Sequence, residues 1–298
     1  MTIHTIDLHF QGIDQAIAAY LVETSAGPVL IEAGPYSTFA SLQAGLAAHQ
    51  YQISDLQAVL LSHIHFDHAG AAWALAKEGL PIYVHPKGHK HLAAPERLYE
   101  SARRIYQDKM DVLWGAMEPI DEALLHCPED QEVVTIGDAR FVAHYTPGHA
   151  THHIAWQLDG HIFTGDVGGV KIGTGPVQPP CPPPDIAVED WLSSIDRILS
   201  LKPSTLYLTH YGPVNEPATH LQQLREELEA WANWIKPHWE AGTEHKAVIP
   251  LFMDFVGQRL SQAGVGKAEV KVYEAANPAW MSVAGLMRYW EKSSEKDT

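Results

Sequence analysis

Three histidines and an aspartate fall within six positions of the stretch LLSHIHFDHAG. They are His63, His65, Asp67 and His68, and they directly follow the apolar residues of a predicted strand. Imidazole nitrogens and carboxylate oxygens bind zinc and related divalent ions at about 2.0–2.2 Å. A chain that leaves a strand through a turn and then enters a helix can bring four such side chains to one point. The spacing therefore predicts a metal site.

Three later candidates also follow apolar strands and stand next to a glycine or a turn. They are His149 in TPGHATHH, Asp166 in FTGDVGG and His210 in YLTHYGP. Each has an ordinary structural role open to it, since an aspartate, for example, often caps a helix or closes a turn. Taken with the first cluster, their shared position at strand ends predicts further ligands for a binuclear site.

Short strands and helices alternate along the part of the chain that must position these side chains. Apolar runs predict strands at AIAAYLVET, PVLIEAG, LQAVLLSH, HHIAWQLDG, HIFTGDV and TLYLTHYG. Helical periodicity appears between them in TFASLQAGLAAH, GAAWALAKEG and VEDWLSSIDRILS. This alternation predicts an α/β protein. Prolines in GTGPVQPPCPPPD exclude a helix interior or a central strand, so we expect a rigid loop over residues 175–185.

Two further segments are predicted to be mainly helical. One spans residues 87–117 and is either packed core or a cover over the substrate. The other begins at Pro217, where one apolar stripe indicates a helix packed against the rest of the protein. The stripe steps by three and four through Leu221, Leu224, Leu228, Trp231 and Ile235.

Charge and composition exclude several classes of partner. The 298 residues include 20 basic and 36 acidic ones, which leaves no basic stripe for a nucleic acid, so a small-molecule substrate is expected. No apolar run approaches the ~20 residues that span a membrane, so no membrane partner is expected.

The expected location is the cytoplasm. The N-terminal stretch lacks the features of a signal peptide, and Cys127 and Cys181 require no disulfide. The sequence does not decide between a monomer and a homodimer.

The order of the seven candidate ligands resembles the order of the metal-binding motifs in the metallo-β-lactamase superfamily. The resemblance covers about residues 5–215. The first motif, H-x-H-x-D-H, is highly specific. The resemblance implies a four-layer αβ/βα sandwich, in which two mixed β-sheets lie face to face, helices flank them and the metals bind at one edge. Residues 1–215 would then form the catalytic domain with 87–117 as a helical insert, and 216–298 a mainly helical C-terminal extension packed on the same domain.

The resemblance also implies a role for each ligand. His63, His65 and His149 would bind one divalent ion, Asp67, His68 and His210 a second, and Asp166 would bridge both. Zinc is the expected metal, with iron or manganese as alternatives. Two cations about 3.5–4 Å apart can hold a bridging hydroxide near neutral pH and stabilise a developing oxyanion. Asp67 would orient that hydroxide and pass a proton to the leaving group.

Departures from particular branches narrow the implied activity. Flavodiiron proteins typically carry a glutamate at the position of His65, and the β-lactamases proper usually carry a cysteine where Asp166 stands. Nucleases of the superfamily usually add nucleic-acid-binding elements, and none is evident in this sequence. The expected activity is therefore that of a glyoxalase II-like or lactonase-like hydrolase, which cleaves a small ester, thioester or lactone.

Two other functions stay open at this point. A mononuclear iron persulfide dioxygenase shares the first motif and the equivalents of His149 and Asp166, but it has no need of His210. A non-catalytic binding module on a degenerate version of the fold would have lost ligands, whereas this sequence contains every expected one.

Candidates for substrate contact come from less specific signals. Lactonases of the superfamily hold the carbonyl oxygen with a tyrosine, and Tyr211, beside His210, is a candidate by position only. The 87–117 segment and the proline loop are expected to line the pocket. The apolar candidates there, each with core packing as the alternative, are Tyr99, Tyr106, Trp114 and Met117.

Overall fold

Two six-stranded β-sheets form the centre of the computed structural model, which describes residues 2–296. In the first sheet the strands lie side by side in chain order: β1 Ile3–Asp7, β2 Ala18–Val22, β3 Val29–Ile31, β4 Ala58–Leu60, β5 Ile82–Tyr83 and β6 Leu125–His126. The second sheet has the order β12-β11-β10-β9-β8-β7, with β7 Val133–Ile136, β8 Ala139–Tyr145, β9 Ile154–Leu158, β10 His161–Phe163, β11 Thr205–Leu208 and β12 Gly212–Val214.

Both sheets are mixed. In the first sheet β1, β2 and β3 pair antiparallel, and β3 to β6 continue as parallel neighbours. In the second sheet β7 to β10 are antiparallel, β11 lies parallel to β10, and β12 returns antiparallel to β11. The predicted α/β architecture of two mixed sheets with flanking helices is confirmed.

Eleven helices accompany the sheets within the described residues. They are α1 Phe39–Ala48, α2 Phe66–Ala69, α3 Ala72–Lys77, α4 Pro86–Ala93, α5 Glu96–Tyr106, α6 Met110–Leu113, α7 Val188–Ser200, α8 Pro217–Glu240, α9 His245–Gln262, α10 Lys267–Ala276 and α11 Ala279–Lys296. None of these eleven helices is both long and apolar enough to cross a membrane.

The helical segment 87–117 is not one helix but three. Pro95 follows the end of α4, and Ala94 before it is non-helical, with φ −140° and ψ 81°, because a proline ring clashes with a helical residue at the preceding position. Helix α5 ends where Gln107 takes a positive φ of 51°. The segment therefore folds as three short helices, and each of them contributes side chains to the lining of one cavity.

The strands bury side chains on both faces, which accounts for the layered arrangement. Alternate residues of β2, such as Tyr20 and Val22, face strands of the second sheet, whereas Ala19 and Leu21 belong to the core shared with the helices. Trp156 of β9 is fully buried in the core between the sheets, and its indole Nε1 donates to Leu61 O, just past β4, at 2.9 Å. This hydrogen bond ties the two sheets together next to the first motif.

The C-terminal helices share the core of the helical layer. The five residues of the predicted apolar stripe on α8 are each at most 1% exposed. Helix α8 contacts α7 and α11, and α11 also contacts α9. The stripe therefore faces the protein interior, and α8 to α11 form a layer next to the second sheet's helix α7.

Replacement of Trp156 by phenylalanine tests the link between the sheets. The change leaves Leu61 O without its donor in a buried position, which we expect to lower the free energy of unfolding by about 1–3 kcal/mol. Denaturant unfolding of metal-free protein measures this as a lower midpoint with an unchanged slope. The control is Trp280→Phe, since Trp280 is half-buried and makes no indole hydrogen bond among residues 2–296. Equal midpoints for the two variants would contradict the expectation.

Candidate metal centre

The seven candidate ligands meet at one edge of the two sheets because four strands end there. His63 follows β4, and His149, Asp166 and His210 follow β8, β10 and β11. Strands β8 and β10 each pair antiparallel with β9, so they run in the same direction, and β11 is parallel to β10. Their carboxyl ends therefore lie together. The same edge receives the end of β4 from the facing sheet, and Ile154 N donates to Ser62 O across the gap at 2.7 Å.

A short helix presents the rest of the first motif. His65 is the extended residue directly before α2, and Asp67 and His68 lie within the four residues of that helix. The strand end and the first turn of a helix thus carry four ligands within six residues. His63 and His68 are fully buried, whereas His65 and Asp67 are partly exposed.

One set of nitrogen and oxygen atoms surrounds a first point. His65 Nδ1 lies 2.8 Å from His63 Nε2 and 3.0 Å from His149 Nε2. Asp166 Oδ2 lies 3.3 Å from His149 Nε2. Bonds of about 2.0–2.2 Å at tetrahedral angles place ligand atoms about 3.3–3.6 Å apart, so this set is close to the size that a zinc-like ion requires.

A second set surrounds a neighbouring point. Asp166 Oδ1 lies 3.2 Å from His68 Nε2 and 3.4 Å from His210 Nε2. Asp67 Oδ2 lies 3.5 Å from His210 Nε2 and 3.8 Å from His68 Nε2. Within each set the ligand atoms are no more than 4.8 Å apart. Asp166 belongs to both sets, with one oxygen directed to each.

Unsatisfied buried atoms indicate that the centre fits a cation. His68 Nε2 and Asp166 Oδ1 are buried and have no hydrogen-bond partner among the described residues. Buried polar atoms are nearly always paired in folded proteins, because an unpaired one costs free energy. A divalent ion would satisfy both atoms at once, and the histidine and aspartate donors are those that divalent transition metals bind.

Backbone carbonyls fix the orientation of two imidazoles. His149 Nδ1 donates to Pro180 O, and His210 Nδ1 donates to Ala16 O, each at 2.8 Å. A carbonyl oxygen only accepts, so Nδ1 of each ring carries the proton and Nε2 keeps a lone pair directed into the centre. The partners come from the proline loop and from the turn before β2.

Glu32 contacts the centre, although no sequence motif points to it. It directly follows β3, is 1% exposed, and accepts a hydrogen bond from His68 Nδ1 at 3.0 Å. It also accepts from Thr209 Oγ1 and from Ser62 N, each at 3.2 Å. The signal in VLIEAG was an acidic residue at the end of an apolar strand, but a single carboxylate carries no spacing pattern. Glu32 orients His68 toward the second set.

Burial keeps three of the imidazoles neutral. It lowers the pKa of His65 to about 4 and the pKa of His63 and His149 below the usual range, and neighbouring imidazoles add to the effect on His63 and His65. Neutral imidazole is the form that binds a metal. The first set therefore presents lone pairs at pH 7 without having to lose a proton.

Charges of opposite sign dominate the second set. Burial alone would lower the pKa of His68, but the carboxylates of Asp166, Glu32 and Asp67 raise it well above its usual value. Burial alone would raise the pKa of Asp67, but His68 and His210 outweigh that effect and bring it to about 2. Both carboxylates of the centre are ionised, so the second set offers a metal two anionic oxygens, from Asp67 and Asp166, and the first set one.

A cavity of about 1290 Å³ opens onto the centre. His65, Asp67 and Asp166 line it, together with parts of α4 to α6, the proline loop and α9 to α11. Of the predicted substrate contacts, Tyr106 and Trp114 line this cavity. Met117 packs against the core, and the Tyr99 hydroxyl donates to Asp111.

Tyr211 lies in a different place from Tyr106. Its side chain lines a smaller cavity of about 280 Å³, beside Lys171 and Val214. The Tyr106 hydroxyl donates to Met281 Sδ at 3.2 Å, and burial together with the charge of Asp67 raises the pKa of Tyr106. Of these two tyrosines, Tyr106 is therefore the one that lines the cavity of the centre.

Glu32→Gln tests the orienting role of this carboxylate. An amide keeps the size of the side chain but loses the charge that stabilises His68, so we expect the affinity for a divalent metal to fall about 10–100-fold. Competition with a chromophoric chelator measures the affinity. Glu23→Gln is the matched control, because Glu23 Oε1 lies 2.9 Å from His4 Nε2 in a pair of the same type elsewhere. An affinity equal to that of the control would remove Glu32 from this role.

Comparison with known proteins agrees with the geometry. The family model of the metallo-beta-lactamase superfamily matches residues 13–210. A metallo-beta-lactamase fold-containing protein of Sulfurisphaera tokodaii is 31% identical over 189 residues, which cover 59% of this chain and 70% of that protein.

Two enzymes of named activity are also similar. A hydroxyacylglutathione hydrolase of Vibrio cholerae is 31% identical over 157 residues, or 52% of this chain and 48% of that enzyme. An atrochrysone carboxyl ACP thioesterase of Aspergillus fumigatus is 29% identical over 213 residues, or 70% of this chain and 55% of that enzyme. This chain thus spans about half the length of these two relatives.

The fold as a whole has a solved counterpart. A metallo-beta-lactamase family protein from Thermus thermophilus superposes with a TM-score of 0.67 and 17% identity. The superposition covers 98% of this chain and 94% of that chain, so the shared fold includes the C-terminal helices. The family model, the relatives and the two clusters of histidine and aspartate lead to one conclusion: the chain belongs to the metallo-beta-lactamase superfamily of metal-dependent hydrolases.

Proposed function

We propose that this protein is a dinuclear metallohydrolase that cleaves a small ester, thioester or lactone. The observation that carries the proposal is the position of Asp166. Its two oxygens face two separate sets of ligand atoms, one of which includes His149 and the other His68 and His210. A single-metal enzyme has no need for the second set, whereas a bridging carboxylate is what two adjacent ions require.

The residues of the centre would divide the work between binding and proton handling. Two divalent ions held there, for which zinc is our proposal and iron or manganese the alternatives, supply Lewis acidity and a water of lowered pKa. Asp67 lines the cavity with an ionised carboxylate, so it can accept a hydrogen bond from that water and relay a proton to the leaving group.

The names of two relatives support an acyl bond as the target. The hydroxyacylglutathione hydrolase and the ACP thioesterase both act, by their names, on thioesters. The cavity supports the same class, because aromatic and aliphatic side chains such as Trp114 and Leu98 share its lining with polar groups. Thioesters are therefore the first substrates to test.

Metal content and hydrolysis should change together in Asp166→Asn. An amide has one oxygen and cannot bridge two ions, so we expect the variant to lose bound metal and most activity on thioesters, aryl esters and lactones. Elemental analysis and initial rates measure the two quantities. Asp254→Asn is the control, since Asp254 is exposed on α9, away from the centre.

Two results would count against the proposal. The first is that wild-type protein, with both metal sites verified as filled, hydrolyses none of the thioesters, aryl esters and lactones. The second is that protein purified without added metal contains one iron per chain, which would support a mononuclear persulfide dioxygenase instead. Two zinc ions per chain would support the hydrolase.

A pair of tyrosine variants tests which hydroxyl assists catalysis. We expect Tyr106→Phe to lower kcat/KM about tenfold, because it removes a hydroxyl that faces the same cavity as Asp67, a loss of about 1.4 kcal/mol in transition-state stabilisation. Tyr211→Phe serves as the matched variant and should change kcat/KM less than about twofold. The opposite ranking, measured on one thioester at one metal content, would assign the role to Tyr211.

A further inference from the structure

We propose that the substrate carries an anionic handle, a phosphate or carboxylate group, which Lys87, Lys90 and Arg97 bind at the rim of the cavity. The inference rests on the proposed hydrolase function and narrows its substrate class. It predicts that this strongly acidic protein prefers an anionic thioester over an uncharged one.

The charge of the rim contrasts with the charge of the chain. Residues 86–109 contain six lysines and arginines and three aspartates and glutamates. The rest of the sequence contains 14 basic and 33 acidic residues. Positive charge is thus concentrated in the helices that cover the cavity, and a small anion near the protein is attracted there and repelled elsewhere.

Only some of the basic residues in this segment line the cavity. Lys87, Lys90 and His91 are three and four positions apart, so they share one face of α4, and all three line the cavity. Arg97, at the beginning of α5, lines it too. The neighbouring arginines 103 and 104 of α5 do not take part in the lining, so position and not composition alone brings the cations together.

These cations are free to bind a ligand. Among residues 2–296, no carboxylate oxygen lies within 4.0 Å of the side-chain nitrogens of Lys87, Lys90 or Arg97, and all three side chains are exposed. Five lysines and arginines elsewhere in the described part of the chain form ion pairs, for example Arg197 with Asp130 at 2.8 Å.

Three further carboxylates line the same cavity, and none of them forms an ion pair with Lys87, Lys90 or Arg97. They are Asp108, Asp185 and Glu274, in addition to the two aspartates of the centre. Asp185 lies 3.9 Å from His152 Nε2, on the side of the proline loop. The side-chain nitrogens of Lys87, Lys90 and Arg97 are therefore available to an external anion.

The geometry of α5 gives the length of substrate that would fit. Arg97 and Tyr106 both line the cavity and are nine residues apart, or about 14 Å along the helix at 1.5 Å per residue. Tyr106 is close enough to Asp67 for its charge to raise the pKa of Tyr106. A substrate with its scissile bond at the centre can thus extend along α5 to the cations.

An apolar part of the cavity lining fits the acyl part of such a substrate. Helix α9 contributes Met253, Val256 and Leu260, and Trp280 of α11 continues the apolar surface. The volume of about 1290 Å³ exceeds the range of about 300–1,000 Å³ common for sites that bind small ligands. An extended amphipathic thioester accounts for both the size and the two unlike walls.

Three thioesters with the same butyryl group test the proposal on the zinc-loaded full chain. One is the uncharged N-acetylcysteamine thioester, one the glutathione thioester with its carboxylates, and one the coenzyme A thioester with its phosphates. We expect at least one anionic thioester to exceed the uncharged one at least tenfold in kcat/KM, mainly through KM. Added salt should reduce this advantage.

Charge variants locate the effect. Lys90→Gln combined with Arg97→Gln should reduce the anionic advantage at least tenfold and change the rate on the uncharged thioester less than twofold. The control combines Arg104→Gln with Lys246→Gln, which removes one arginine and one lysine that are exposed and lie outside the cavity lining. The coenzyme A and glutathione arms distinguish a phosphate from a carboxylate handle.

The outcomes separate this inference from the hydrolase function. The double variant Lys90→Gln and Arg97→Gln is called the rim variant. Equal kcat/KM for charged and uncharged thioesters overturns the proposed anionic handle, and so does an anionic advantage that survives in the rim variant. Neither result contradicts the proposed hydrolase function. If no thioester is cleaved, the hydrolase proposal fails. Titration calorimetry with the uncleavable thioethers S-butyl-glutathione and S-butyl-coenzyme A then decides the handle: binding weakened at least tenfold by the rim variant supports it, and no binding overturns it.

Discussion

A buried negative charge is the constraint on which the rest of this structure depends. Asp166 is 3% exposed, and the imidazoles of His68, His149 and His210 surround its two oxygens. An ionised carboxylate buried without compensation costs several kcal/mol, so the surrounding groups or a bound cation must offset that cost. The backbone adapts to the same demand. Gly165 before it has a φ of +49°, and a Cβ there would lie 2.6 Å from atoms of Ser62 and His153.

Parts of the chain that bind no metal hold the ligands in place. The carbonyl of Pro180 in the proline loop and that of Ala16 before β2 fix the rings of His149 and His210. Glu32 after β3 fixes His68. Each contact joins segments that are distant in sequence, so the centre can form only when the two sheets have come together. Metal affinity and folding are coupled for this reason.

The sequence was most informative where one residue type served one purpose. The clustering of the seven candidate ligands could be predicted because histidines and aspartates at strand ends are costly without a metal. The alternation of strands and helices followed from apolar periodicity. Glu32 could not be predicted, since its role depends on His68, which lies 36 positions later. Tyr211 lines the smaller cavity, whereas the side chain of its neighbour His210 belongs to the metal centre. Proximity in sequence could not reveal this difference. The segment 87–117 is mainly helical as predicted, but the sequence pattern did not locate the breaks at Pro95 and Gln107 that divide it.

The proline loop belongs both to the metal centre and to the cavity. Pro180 and the prolines at positions 182–184 line the cavity, and the carbonyl of Pro180 also holds His149. Among the described residues, α4 and α9 line the cavity but make no hydrogen bond to a candidate ligand, so substitutions there can change substrate fit without altering the metal centre. A substitution in the loop would instead alter substrate fit and metal affinity together, and adaptation at this wall is correspondingly restricted.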